Sequence, residues 1–262
     1  MKVDVPARVG VQITNEYGDY AEVRDTVRAL EDLGVDIVFN WDHFFPLFGA
    51  SDGPHLEAWT MLGALAEQTS RVTLGPLVNC TAYRNADLQA DMARTVDHIS
   101  GGRLIFGTGS GWLARDFDEY GYPFGTPGSR LAALAADLPR IKARWKLLNP
   151  APIRDIPVLI GGAGERKTLR IVAQHADIWH SLSDAVTLRR KLGVLGDWCD
   201  RVGRDPDEIE VGVTVSDPWA ASDYTRLDEL YAMGVRIFQG RAMGLRDLDG
   251  VRRLLRWRDA AT

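Results

Sequence analysis

Two histidines stand where a chain of alternating strands and helices would place reactive groups. His43 follows Asp42 directly after an apolar run, and His180 follows a second, shorter run. The imidazole ring titrates near neutral pH, so it can act as a general acid, a general base or a hydrogen-bond donor. A lone histidine is more often structural, with its ring nitrogens satisfied inside the core. We take His43 as the candidate catalytic residue, with less support for His180.

A glycine-rich stretch, Gly107-Thr108-Gly109-Ser110-Gly111, follows the apolar run Leu104-Ile105-Phe106. Because glycine lacks a Cβ, such a stretch lets the backbone pass close to something flat or anionic. Its spacing is not that of the dinucleotide-binding fingerprint, and an ordinary strand-to-helix turn is the alternative interpretation. We expect a loop after a buried strand, with a ligand beside its backbone.

A second glycine run, Gly161-Gly162-Ala163-Gly164, lies between the apolar run Ile156–Ile160 and a predicted helix that begins near Gly164. Arg166 and Lys167 fall in the first turn of that helix. Free N–H groups, the helix dipole and glycine access together make an anion site. We interpret this run as a phosphate site, and a plain turn before a solvated helix start is the alternative.

Aromatic side chains follow the same predicted strands and could line one cavity: Trp41, Phe44, Phe45, Phe48 and Trp112. An aromatic cavity beside a phosphate site would suit a flat, phosphorylated cofactor, although such residues can also be ordinary packing. We expect no metal site, because no H-x-x-x-H pair or Cys/His cluster has ligand spacing. The sequence also lacks the G-x-S-x-G nucleophile motif.

Composition and charge narrow the class of partner. The 262-residue chain has 31 basic and 36 acidic residues and no basic run, which argues against nucleic acid as the main partner. No apolar run is long enough to cross a membrane, and the N-terminus has no signal-peptide core. The two cysteines, Cys80 and Cys199, form no disulfide framework and fit a reducing compartment. We therefore expect a cytoplasmic protein that acts on a small molecule.

Eight strand-then-helix units position these residues. The predicted strands are 9–13, 35–41, 71–78, 103–107, 156–160, 177–179, 209–215 and 234–238. Strict alternation implies a parallel sheet, and eight units in a chain of this size predict an α/β fold of the (β/α)8 TIM barrel type, with residues 1–262 as a single domain. A doubly wound open sheet is the rival. In a barrel, the chemistry lies at the carboxyl ends of the strands, where all of the candidate residues fall.

Pro76 lies inside predicted strand three. Proline cannot donate a hydrogen bond to a neighbouring strand, and a closed barrel has no free edge on which to place it. We therefore expect a bulge in strand three beside the cavity, with a proline tolerated at a strand end as the alternative.

These motifs together resemble the luciferase-like monooxygenase superfamily, and most closely its coenzyme F420 (deazaflavin)-dependent oxidoreductases. The resemblance runs from Val9 to about Ser181. It is carried by Arg71-Val72-Thr73-Leu74-Gly75, Tyr83-Arg84-Asn85, residues 95–103, residues 107–112, residues 156–164, Thr168-Leu169, Ala176-Asp177 and Asp42-His43.

The resemblance implies an oxidoreductase with the flavin-type ring at the strand ends. It implies a non-prolyl cis peptide between Leu77 and Val78 behind the ring, the cofactor phosphate at Gly161 and Gly162, and a histidine, here His43, beside the ring. Relatives are often dimers, so a homodimer is one expected assembly. The candidate cofactor-binding residues are Asp42, His43, Leu77, Val78, Asn79, Gly107, Thr108, Gly109, Ser110, Gly161, Gly162, Ala163 and Gly164.

The chain also departs from the family pattern. The family often has Gly-Trp-x-Glu-Arg-Glu after strand four, and here Ala114 stands in place of the first glutamate. A catalytic role for that carboxylate therefore does not transfer. We favour an F420-dependent enzyme that transfers a hydride to or from a small organic substrate. An FMN-dependent monooxygenase and a barrel that binds a cofactor without turnover are the alternatives.

Overall fold

Parallel strands alternate with helices in the computed structural model, which describes residues 6–215, 225–245 and 248–261. Within these ranges the strands are β1 (Arg8–Ile13), β2 (Ile37–Asn40), β3 (Thr73–Pro76), β4 (Asn79–Cys80), β5 (Phe106–Gly109), β6 (Val158–Gly161), β7 (Ile178–Ser181), β8 (Glu210–Thr214) and β9 (Val235–Ala242). The α-helices are α1 (Tyr20–Asp32), α2 (Ala58–Glu67), α3 (Ala86–Ile99), α4 (Ala114–Tyr120), α5 (Pro127–Trp145), α6 (Thr168–His175), α7 (Ala185–Val202), α8 (Thr225–Ala232) and α9 (Asp249–Ala261).

The helices begin where the sequence supplies a capping side chain. Asp19, Asn85 and Asp184 accept hydrogen bonds from backbone N–H groups in the first turns of α1, α3 and α7. Each of these helices buries one apolar face against the sheet, as the spacing of Val23, Val27 and Leu30 in α1 illustrates. No helix of the described ranges is long and apolar enough to cross a membrane.

The strands form one parallel sheet in the order β3-β2-β1-β9-β8-β7-β6-β5-β4. Its two ends, β3 and β4, are consecutive pieces of one barrel strand, and both lie against the chain segment that contains β5. Leu74 of β3 pairs with Leu104, two residues before β5, and Asn79 of β4 pairs with Thr108 of β5. The ring is therefore closed. The predicted (β/α)8 TIM barrel is confirmed, and the open-sheet alternative is wrong.

Side chains alternate between the inside and the outside of the barrel, as they must along a strand. On β2, Ile37 and Phe39 belong to a small buried cluster inside the ring, whereas Val38 between them joins the large core between the sheet and the helices. The inner cluster closes the ring beneath the carboxyl ends of the strands. Its members are Ile37, Phe39, Ile105, Leu159, Ile178 and Ile237.

The predicted irregularity in strand three is present. β3 ends at Pro76 and β4 begins at Asn79, and the peptide bond between Leu77 and Val78 in the gap is cis. Leu77 and Val78 pack on the inner cluster from above. This two-residue break therefore faces the carboxyl end of the barrel.

Several predicted boundaries are wrong. Gly107 and Gly109 lie within β5 rather than in a loop, because small inward-facing residues are needed where strand three bulges into the ring. His180 and Ser181 likewise lie within β7. Helix α6 begins at Thr168, four residues after Gly164.

The stretch from Trp112 to Ser129, expected to be irregular, contains the short helix α4 and the first turn of α5. Helix α4 has seven residues, which is too short for hydrophobic periodicity to reveal it.

Candidate active site

A cavity of about 410 Å³ opens at the carboxyl ends of the strands. Apolar and aromatic side chains form most of its wall, with a few polar groups among them. The lining residues are Gln12, Trp41, Asp42, His43, Leu47, Leu77, Val78, Cys80, Tyr83, Gly109, Ser110, Gly111, Trp112, Gly161, Gly162, His180, Leu182, Thr214 and Arg241. A largely apolar cavity with a few converging polar groups is typical of a small-molecule site.

His43 is paired with a buried carboxylate that is not among the predicted site residues. Its Nδ1 lies 2.6 Å from Oδ2 of Asp116, which is completely buried. Asp116 also accepts from the Tyr83 hydroxyl at 2.9 Å and from the Phe44 N–H at 3.2 Å. A carboxylate is an acceptor only, so Nδ1 of His43 donates and Nε2 of the same ring is left for a ligand.

Asp116 lies in α4, two residues after Ala114. Although Ala114 departs from the family pattern, the site still has a carboxylate beside His43, and Asp116 supplies it. The sequence signal that could have found it is the second acidic position of the motif Gly-Trp-x-Glu-Arg-Glu.

Asp42 lies on the cavity wall, but both of its oxygens are bound inside the protein. Arg84 donates to them at 2.7 and 3.0 Å, and the Cys80 N–H donates at 3.0 Å. Arg84 also binds Glu57 at 2.7 Å. Asp42 therefore ties the end of β2 to β4, and its predicted contact with a cofactor stays a prediction.

The wall at Leu77 and Val78 is held from two sides. Gln12 on β1 donates from Nε2 to the Leu77 carbonyl at 2.9 Å. Behind the wall, Asn79 is fully buried, accepts from the Trp59 indole N–H and donates to Gln89, both at 2.8 Å. Leu77 and Val78 face the cavity, whereas Asn79 supports them and lies off its surface.

The glycines of β5 and β6 are required by the packing of strand three. A Cβ on Gly107 would lie 1.9 Å from the Pro76 carbonyl oxygen. A Cβ on Gly109 or Gly161 would lie 2.8 or 2.9 Å from a methyl group of Val78. These glycines were predicted to make room for a ligand beside the backbone. In the structure they also make room for Pro76 and Val78 of strand three.

The remaining candidate residues divide between wall and interior. Gly109, Ser110, Gly161 and Gly162 line the cavity. Gly107 does not line it, and Thr108 is buried, with its hydroxyl directed to the Asn79 carbonyl at 3.4 Å. Their contacts with a cofactor stay predictions.

The predicted phosphate site is divided between this cavity and its rim, because Gly161 and Gly162 line the cavity itself. Ala163, Gly164, Glu165, Arg166 and Lys167, with Leu131 and Thr168, line an open depression of about 440 Å³ beside it. The Glu165 carboxylate in this lining is paired with Arg190. No side chain caps the start of α6, so its first N–H groups are not satisfied by a cap. This arrangement suits an anion at the rim, next to Gly162 of the cavity.

His180 is buried inside the ring and is part of a hydrogen-bonded chain. Its Nε2 lies 2.9 Å from the Thr214 hydroxyl, which donates to Oε1 of Gln239 at 2.5 Å. Because Thr214 uses its proton toward Gln239, His180 donates from Nε2. Burial lowers the pKa of His180 to about 4, so the ring is neutral at physiological pH. Its Nδ1 has no partner among the described residues.

Glu16 fixes the loop that covers one side of the cavity. Its Oε2 accepts from the Leu47 N–H at 2.6 Å, and it is nearly fully buried. Burial raises the pKa of Glu16. Nothing in the sequence singles out Glu16, because one acidic residue after a first strand has no distinguishing pattern.

The predicted aromatic cluster splits into two groups. Trp41 and Trp112 lie on the cavity wall, and Phe48 lies 6.2 Å from the Trp41 ring. Phe44 instead stacks on Tyr120 of α4 at 3.9 Å, and Phe45 packs under Arg115. The second group therefore anchors the loop to α4, which carries Asp116. In the described part of the chain, no group of three or more His, Cys, Asp or Glu side chains is placed to hold a metal ion.

The family model that describes luciferase-like monooxygenases matches residues 1–247 of this chain. An uncharacterized protein of Mycobacterium tuberculosis is 30% identical over 167 residues, which are 57% of this chain and 58% of that protein. An F420-dependent glucose-6-phosphate dehydrogenase of Amycolatopsis mediterranei is 32% identical over 141 residues, which are 53% of this chain and 41% of that protein. The matches thus span about half the length of these relatives.

Solved structures share the fold. An F420-dependent secondary alcohol dehydrogenase, in complex with an F420-acetone adduct, superposes with a TM-score of 0.83 at 14% identity and covers 94% of this chain and 96% of that one. The long-chain alkane monooxygenase LadA superposes with a TM-score of 0.67 at 13% identity and covers 98% of this chain and 73% of that one. At such identities the superpositions establish the fold and leave the reaction open.

Proposed function

The chain belongs to the luciferase-like monooxygenase family, and we propose that it is an oxidoreductase that uses coenzyme F420 to transfer a hydride to or from a small organic substrate. The cofactor, when bound, supplies the hydride chemistry, and the protein supplies binding, orientation and electrostatics. F420-dependent glucose-6-phosphate dehydrogenases among its relatives support this choice of cofactor.

The cavity fits a flat ring. Leu77 and Val78 offer an apolar wall held by Gln12, and the glycines at 109 and 161 keep neighbouring strands free of side chains. The open depression with Arg166 and Lys167 next to Gly162 would hold a phosphate at the rim. The residues present therefore suit a tricyclic ring that carries a phosphorylated tail.

The pairing of His43 with Asp116 on the cavity wall is the observation that carries the proposal. Hydride addition to a C=O or C=C group leaves negative charge on the substrate, which a proton must neutralise. His43 can give or take that proton at Nε2, while Asp116 fixes the ring through Nδ1 and Tyr83 fixes Asp116.

An FMN-dependent monooxygenase is the second candidate, supported by the family model and by the fold shared with an alkane monooxygenase. Reaction with oxygen benefits from a cavity that excludes water. Here two wall residues, Trp112 and Leu182, are 63% and 81% exposed. This exposure favours the hydride-transfer enzyme.

Anaerobic turnover tests the proposal. The protein is mixed with reduced F420 and a panel of aldehydes, ketones and activated alkenes, and F420 oxidation is followed by absorbance, with the His43→Ala variant as a comparison. We expect substrate-dependent oxidation that needs no oxygen and that His43→Ala lowers. Oxygen uptake with reduced FMN, together with no activity with F420, would identify the protein as an FMN-dependent monooxygenase. No turnover with either cofactor would indicate a binding protein.

A further inference from the structure

Arg241 is a cation on the cavity wall that the proposed reaction does not use. It lies near the carboxyl end of β9, is exposed, and lines the cavity together with Trp41, His43 and Leu47. Its guanidinium carbon is 4.7 Å from the centre of the Phe48 ring. In the described residues Arg241 forms no salt bridge, so its charge is not neutralised by a bound carboxylate.

The other charged groups of the wall are already committed. Asp42 is bound by Arg84, and His43 is bound by Asp116. His180 is neutral because burial lowers its pKa to about 4. Glu16 does not line this cavity. It interacts electrostatically with Arg241 but forms no ion pair with it; its Oε2 accepts from the Leu47 N–H, and its Oε1 has no partner among the described residues. Arg241 is therefore a positive group of the cavity whose donors are available to a ligand.

A second unsatisfied donor lies on the same part of the wall. The Trp41 side chain is 4% exposed, and its indole Nε1–H has no hydrogen-bond partner in the described part of the chain. Buried donors are normally satisfied, so a bound acceptor would complete this one. Trp41 also packs against Phe48, the ring beneath Arg241.

The position of these groups relative to the proposed cofactor sites indicates what they would bind. Most candidate cofactor residues lie on strand three, β5 and β6, and Asp42 and His43 follow β2, as Trp41 does. Arg241 lies near the end of β9, which is separated from β2 by β1, on the other part of the mouth. That part is aromatic and carries a planar guanidinium fork, which matches a carboxylate or a phosphate group.

We propose that Arg241, assisted by the Trp41 indole N–H, is the anion-recognition element of the substrate site, and that the substrate is a small organic anion with an apolar body. The proposal rests on the proposed function, because it assigns the rest of the cavity to the cofactor. The anionic group lies on Arg241 over Phe48, and the apolar body lies against Trp41 and Trp112.

The test is calorimetric titration of the F420-loaded protein with benzoate, phenyl phosphate and benzamide, which share a ring and differ in charge. We expect benzoate or phenyl phosphate to bind at least about tenfold more tightly than neutral benzamide. Whichever anion binds better identifies the group as a carboxylate or a phosphate. Arg241→Gln should weaken binding of that anion about 10- to 100-fold and leave benzamide within about threefold, as expected for losing a charge-assisted hydrogen bond.

Arg201→Gln is the matched control, because Arg201 lies at the same 4.7 Å over an aromatic ring, that of Trp198 on α7, away from the cavity. Arg201→Gln should leave the affinities for benzoate, phenyl phosphate and benzamide unchanged. Trp41→Phe keeps the ring and removes the N–H, and should weaken anion binding about three- to tenfold.

Equal binding of the anions and benzamide, no anion binding at millimolar concentration, or an unchanged preference in Arg241→Gln would overturn the inference. The titrations are repeated without F420, and F420 binding is measured separately. If F420 does not bind while the anion preference persists, the proposed function fails and Arg241 remains an anion site.

Discussion

The structure predicts how replacing a glycine beside Val78 changes the free energy of unfolding. Gly161→Ala places a methyl group 2.9 Å from Val78 Cγ1, whereas carbon atoms in ordinary contact are about 3.5–4.0 Å apart. Overpacking of this kind costs about 1–3 kcal/mol, and the alanine recovers about 0.4–1 kcal/mol through the unfolded chain. We therefore expect Gly161→Ala to lower the free energy of unfolding by about 1–2 kcal/mol, even without cofactor.

Val78→Ala supplies the matched background. With both Val78 methyl groups removed, the nearest remaining atom to the new methyl of residue 161 is Val78 Cβ at 3.8 Å, an ordinary contact. In that background Gly161→Ala should be neutral or slightly stabilising. The two substitutions should therefore show a coupling free energy of about 1–2 kcal/mol in a double-mutant cycle.

The assay is urea unfolding of the four proteins in the cycle, followed by tryptophan fluorescence, with Gly193→Ala as a control. Gly193 lies in α7, and a Cβ at this position would have no neighbouring atom within 4 Å, so that substitution should stabilise the protein by about 0.5–1 kcal/mol. If Gly161→Ala unfolds like the wild type and shows no coupling to Val78, the glycine is not required by strand three.

Two further predictions concern the histidines. Asp116→Asn should lower kcat/KM of F420-dependent turnover about 10- to 100-fold, because His43 loses a charge-assisted hydrogen bond at Nδ1. Tyr83→Phe keeps the carboxylate and should lower kcat/KM less. Equal losses in the two variants would argue against a positioning role for Asp116. His180 has a pKa of about 4 when folded and 6.5 as the reference value, so the unfolded state binds more protons between these pH values and stability falls as the pH drops through this window. His180→Asn should therefore shrink the stability difference between pH 7 and pH 5 by about 2 kcal/mol in urea unfolding, and an unchanged difference would mean that the ring is not held neutral.

The architecture could be predicted because it depends on local patterns. Alternating apolar runs and amphipathic stretches specify strand-then-helix units, and their number and order specify the barrel. The position of His43 followed from the same reasoning, since a residue directly after a barrel strand must lie at the mouth. Pro76 indicated the break in strand three because a proline has no place inside a closed sheet.

The partners of those residues could not be predicted in the same way. The contact of His43 with Asp116 joins residues 73 positions apart, through a helix of seven residues that has no readable periodicity. The role of Gly161 depends on how closely Val78 approaches in three dimensions. Asp42 was selected for its position, but only its hydrogen bonds with Arg84 show that both oxygens are used within the protein.

Binding of F420 in the cavity above Leu77 and Val78 is tested most directly by a titration of the purified protein with F420 and with FMN, followed by tryptophan fluorescence. Trp41 and Trp112 on the cavity wall should report a bound ring. We expect tight, saturable binding of F420 and at least about tenfold weaker binding of FMN. Tighter binding of FMN would contradict the choice of cofactor, and binding of neither would contradict the assignment of the cavity as a cofactor site.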